Sequence, residues 1–187
     1  MKRTLSLMLA LVMAVSLMAC GKKDDGKNNA DAPADSLALL TKVWDSYTDD
    51  EKFPAAGGDY ETSVDDAPGA FDPSNADNLN FLLTVPTEDA SLIDDAASLM
   101  HMMNANTFTA GAFHVASSSD VDSVVSDLKD NIMNRQWMCG FPDKLVILTL
   151  GDYVISCYGA EDLVDQFSEK VTEAFADAAV VCDEAIA

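Results

Sequence analysis

Positive charge is scarce in this chain: 11 Lys and Arg stand against 32 Asp and Glu, a formal net charge of −21. A surface of that sign repels nucleic acid, anionic lipid and phosphate-rich polymers, which excludes their recognition by charge. The excess admits a cationic partner or calcium, and it equally serves the solubility of an exported protein. No stretch sets acids at alternate positions ahead of a glycine, as a calcium loop requires; Asp49-Asp50-Glu51 and Asp65-Asp66 are short runs, not ligand cages. Cysteine is sparse as well, at positions 20, 139, 157 and 182, and no pair has the spacing of a zinc or redox motif. A nucleophile elbow of the form Gly-x-Ser-x-Gly is missing. The expectation is therefore a non-enzymatic protein that carries no cofactor and no metal.

What the chain does have begins at its N-terminus. Lys2 and Arg3 precede an apolar run from Leu5 to Leu17, broken only by Ser6 and Ser16. The run is shorter than the roughly 20 residues that span a bilayer. A short positive region followed by such a run has the form of a secretory signal. Leu17-Met18-Ala19-Cys20 resembles the lipobox of bacterial lipoproteins, with a branched apolar residue three before the cysteine and a small residue directly before it. The resemblance implies cleavage between Ala19 and Cys20 and a diacylglyceryl thioether on Cys20. Residues 1–19 are then the signal peptide. Residues 20–35, polar and unable to bury apolar surface, are expected to form a lipidated flexible tether on the outer face of the cytoplasmic membrane. Cleavage removes two of the 11 basic residues and no acid, leaving 9 basic and 32 acidic residues and a charge of −23.

Three cysteines remain after Cys20 is used, an odd number that cannot form a complete disulfide framework. They read as small buried hydrophobes, with a Cys139–Cys157 bridge as the alternative at an extracytoplasmic address.

Residues 36–187 are enough for one globular domain with a real core. Leu37, Leu40, Val43, Trp44 and Tyr47 predict an amphipathic helix over 36–51, capped by Asp35 or Ser36. Residues 53–77, punctuated by Pro54, Gly57-Gly58, Pro68-Gly69 and Asp72-Pro73, read as a long loop, either a variable binding loop or a passive connection over the core pinned by Phe53, Tyr60 and Phe71. Leu79, Leu82 and Leu83 suggest a short helix before Pro86, and Thr87 a cap for another turn. From Leu92 to Met103 the spacing fits helix and strand alike. Ala110–Ala116 reads as a strand. Asp120 is expected to cap a helix running to about Trp137, with Val121, Val124, Val125, Leu128 and Ile132 inward. Leu145–Leu150 and Tyr153–Tyr158 read as strands joined through Gly151-Asp152, and Leu163 to Phe175 as a last helix. The resulting fold class is α+β, a mainly antiparallel sheet of about four strands with helices packed on one face.

Several of these segments together suggest a relationship. The stretch His101-Met102-Met103-Asn104-Ala105-Asn106-Thr107-Phe108-Thr109, a helix ending near Asn134-Arg135-Gln136, and Gly151-Asp152-Tyr153-Val154 resemble a domain of unknown function common in lipoproteins of Gram-positive anaerobes. The resemblance covers roughly the C-terminal half. It implies that 97–103 is a strand paired with the next one, and it implies no activity.

Few residues invite a functional reading. His101 and His114 on adjacent strands could bind a metal or supply a base, but isolated sheet histidines are commoner. Ser117-Ser118-Ser119 beside His114 has the composition of a nucleophile and base, and equally of a helix start. The segment from Asn134 to Pro142 gathers Arg135, Trp137, Cys139 and Phe141 at a helix end. Arg135 could clamp a carboxylate and Trp137 stack on a ligand; alternatively Arg135 neutralises its own helix terminus and Trp137 covers the core. The expected function is a membrane-anchored binding or accessory module for a protein or small-molecule partner. A recognition component of a transport or envelope assembly is the alternative, and an enzyme the third reading.

Overall fold

The computed structural model describes residues 32–138 and 140–186, which belong to one compact unit. The expected signal peptide with its cleavage site at Ala19 and Cys20, the expected tether up to residue 31, and Cys139 with its possible bridge lie outside the described residues. Among the described residues no helix is long and apolar enough to cross a membrane.

Among the described residues the fold is α+β, with four helices and an antiparallel sheet. Helix α1 spans Ser36–Asp45, and Asp35 caps it by accepting from the Ala38 amide at 2.6 Å. The segment expected to be a long loop instead contributes three short strands: β1 (Ala55–Gly57), β2 (Val64–Asp65) and β3 (Gly69–Phe71). Gly57 and Gly69 make this possible, because a Cβ on Gly57 would lie 2.1 Å from the Gly69 nitrogen. Of the three aromatic pins, Phe71 is buried and Phe53 half-buried against the core, while Tyr60 is exposed.

Helix α2 (Ala76–Leu83) leads through a short 3₁₀ turn to β4 (Ile93–His101). Neither Thr87 nor Asp120 caps as expected. The 3₁₀ turn starts only at Ala90, and the Asp120 side chain makes no capping bond at the start of α3. Strand β5 (Phe108–Val115), helix α3 (Val121–Met133), strands β6 (Lys144–Leu150) and β7 (Tyr153–Gly159), helix α4 (Glu161–Ala174) and strand β8 (Ala179–Ala185) complete the chain. The ambiguous segment is thus a strand over Ile93–His101, paired with β5 from Ile93 to Met100, and Met102 and Met103 lie beyond it.

The sheet has eight strands, not about four, in the order β2-β1-β4-β5-β7-β6-β8 with β3 also paired to β4. Helices cover both faces, not one. On one face α1 and α4 pack over Ala97, Leu99, Ala110, Val146, Leu148 and Ile155. On the other, α2 and α3 pack over Ala96, Phe113, Leu145, Ile147 and Val154. The topology supplies the reason. Strands β5 and β6 are each antiparallel to β7, hence parallel to one another, and α3 connects them. Strands β7 and β8 are likewise both antiparallel to β6 and are joined through α4. Both crossovers step the same way across the sheet, but the strand direction reverses between them. Since nearly all such crossovers are right-handed, the two helices must fall on opposite faces. Burial on both sides explains why Leu145–Leu150 reads as an almost unbroken apolar run rather than an alternation.

The register gives the sheet two distinct poles. The Ser36 amide donates to Asp95 Oδ2 at 2.6 Å, and Asp95 pairs with His114, itself opposite Tyr153. Helix α1 therefore begins at the Asp95–His114–Tyr153 end. His101, six residues along β4, lies roughly 20 Å away at the other end, beside the β4–β5 turn and the start of β1.

Candidate ligand cleft

A partly enclosed candidate site lies at the pole opposite Asp35, between the C-terminus of α2, the β4–β5 turn and the segment after α3. Helix α3 stops at Met133, short of the expected Trp137, because Asn134 turns back on it: its amide and its Nδ2 both donate to the Asp130 carbonyl, at 3.1 and 2.8 Å. The chain then runs extended, and Arg135 swings away from its own helix. It donates from Nη1 to the Asn80 carbonyl at 3.0 Å and from Nη2 to the Phe81 carbonyl at 2.9 Å. Those carbonyls belong to the last turn of α2, which closes on Thr84 in the left-handed region with φ 60°. The guanidinium thus sits at the negative end of a helix, but of α2 and not of α3.

Trp137 is half-buried, 5.1 Å from the Tyr158 ring centre, and the Arg135 guanidinium lies 5.5 Å from the indole centre. This arrangement pre-orients the arginine. Indole Nε1 is buried without an acceptor, which costs about 1–3 kcal/mol. Tyr158 is buried at the base, and that burial pushes its phenol above its ordinary range. The Asn106 amide holds the segment in place, donating to the Met138 carbonyl at 2.9 Å and the Gly140 carbonyl at 3.0 Å. Phe81, Leu82 and Met138 complete an apolar wall around a cavity of about 330 Å³.

Two features set this cleft apart. Among the described residues no carboxylate lines it, in a chain with 32 of them, and its cation is the only arginine in the sequence beyond Arg3. Exposed apolar side chains also occur on the three segments that frame it: Met138 is 80% exposed, Met103 79% and Phe141 76% on loops, and Phe81 65% on α2. Tyr60, 64% exposed, lies 6.4 Å from the Phe81 ring. The sequence flagged Arg135, Trp137 and Phe141 but missed Phe81, whose role depends on α2 ending beside a segment more than fifty residues later.

The remaining candidates do not converge. His101 stacks on Phe53 at one pole, 5.7 Å between ring centres, while His114 sits at the other with Nδ1 2.5 Å from Asp94 Oδ1. Although their strands are adjacent, the register keeps the two rings apart. Ser117 and Ser119 share a hydrogen bond with each other at 2.9 Å, before the first turn of α3. Among the described residues no group of three or more His, Cys, Asp or Glu could hold a metal ion. Cys157 and Cys182 are free thiols in the interior, and burial pushes both above the ordinary thiol range.

No protein-family model, curated protein or solved structure matches the chain.

Proposed function

We propose that this protein is a lipoprotein, held at the outer face of the cytoplasmic membrane by acyl chains on Cys20, and that its domain serves there as a non-enzymatic binding module. The observation that carries the reading is the coincidence, within the first twenty residues, of Lys2 and Arg3, a thirteen-residue apolar run and the sequence Leu-Met-Ala-Cys. A polar stretch then separates Cys20 from Asp35, where helix α1 begins. The pole at which α1 begins is opposite the Arg135–Trp137 cleft. Two or more acyl chains on one cysteine anchor far more firmly than one.

Growth of the host with an alkyne fatty acid tests the anchor. The wild-type chain takes up label and partitions with membranes. Cys20→Ala abolishes both uptake and maturation. Label retained by the Cys20→Ala protein would overturn the assignment.

A further inference from the structure

The geometry points to the Arg135 cleft as a site for a small monocarboxylate carrying an apolar, ring-sized body. This deepens the binding-module reading and rests on it for its biological setting. Arginine has five N–H donors in a planar fork. Two are committed to the Asn80 and Phe81 carbonyls, leaving three without a protein acceptor among the described residues. Those two bonds and the indole fix the guanidinium in place, so a ligand carboxylate meets donors already oriented. One cation with no acid beside it matches one negative charge. A dianion such as phosphate would bring a second charge into the field of a chain at −21. The walls supply the other half of the specificity. Phe81, Leu82, Trp137 and Met138 present apolar and aromatic surface, and about 330 Å³ falls within the size range of small-molecule sites.

The chain contains two tryptophans, which makes the test direct. Trp44 Nε1 donates to the Asp66 carbonyl at 3.0 Å, is not among the residues that line the cleft, and serves as an internal reference. The full chain, labelled with 15N at its indoles and purified in detergent, is titrated with 1-naphthylacetate while both indole N–H signals are followed by NMR. The expected result is a saturable shift of the Trp137 signal at millimolar ligand with the Trp44 signal fixed. 1-Naphthylacetamide, which keeps the ring and loses the charge, should bind about tenfold more weakly, and so should acetate, which keeps the charge and loses the ring. Arg135→Lys retains the charge but not the fork, and should also weaken binding by about tenfold. The comparison of acid with amide needs no variant, so it stands even if Arg135→Lys folds poorly. Equal binding of acid and amide, equal movement of both indole signals, or no saturable shift would each overturn the proposal. None of these outcomes bears on the fatty-acid label at Cys20, so failure of the site and failure of the anchor are separable.

Discussion

Asp95 accepts a hydrogen bond from the amide of Ser36, 59 residues earlier, with Oδ2 2.6 Å from the nitrogen. The Ser36 hydroxyl answers with a bond to the Asp95 carbonyl at 3.3 Å. This reciprocal pair pins the first turn of α1 to a central strand and fixes the pole at which α1 begins. Two carboxylates, Asp35 and Asp95, thereby satisfy amides at one helix N-terminus. Asp95→Ala is expected to lower stability by about 1–3 kcal/mol, and Asp95→Asn by less because an acceptor remains. Urea midpoints of both variants check this; an unchanged midpoint for Asp95→Ala would mean that α1 docks by its apolar face alone.

Asp59 and Asp89 are both buried, yet their surroundings act in opposite directions. Burial alone would raise Asp59, but its carboxylate accepts from the Glu61 and Thr62 amides and the Thr62 hydroxyl at 2.8–2.9 Å, and these bonds hold its pKa below the ordinary value. Burial raises Asp89, aided by repulsion from Asp127 and Glu88, and its Oδ2 has no partner. A depressed carboxylate contributes stability above its unfolded pKa and loses it as pH falls through the folded value; a raised one costs stability at neutral pH, and that cost disappears on acidification. Asp59→Asn should therefore destabilise at neutral pH, by about 1–3 kcal/mol. Asp89→Asn should stabilise by about 0.5–1 kcal/mol and remove the corresponding gain on acidification. Thermal midpoints between about pH 4 and 8 distinguish the two; a lowered neutral midpoint for Asp89→Asn would contradict this assignment.

Gly151 has φ +58°, with the two-residue turn closed by the Leu150–Tyr153 pair. Nothing lies within 4 Å of the position a Cβ would take, so the constraint is conformational and not steric crowding. Gly151→Asn should be nearly neutral, because Asn tolerates the left-handed region. Gly151→Val should cost about 1–2 kcal/mol. Equal midpoints for the two variants would remove the left-handed backbone as the reason for glycine.

The elements legible in the sequence were those whose pattern is local. Val121, Val124, Leu128 and Ile132 repeat at helical spacing and are buried on α3. The Gly151-Asp152 turn is announced by its own residues. Strand β8 was not legible: only Cys182 of its seven residues is buried, and its ladder to β6 is long-range. Strands β1 and β3 were hidden in a Gly- and Pro-rich stretch because they gain their order from β4 and not from their own side chains. The two-faced burial followed from crossover geometry, which appears only once the strand order is known. At the cleft the sequence identified Arg135 and Trp137, but the carbonyls that hold Arg135 come from α2, and no spacing rule reveals a contact 55 residues apart.

The most direct measurement of the central claim is the mass of the N-terminal peptide of the protein extracted from host membranes. The expected result is a mature chain that begins at Cys20 with a diacylglyceryl thioether on its sulfur. A membrane-extracted chain that still begins at Met1, or one cut elsewhere with an unmodified Cys20 thiol, would contradict it.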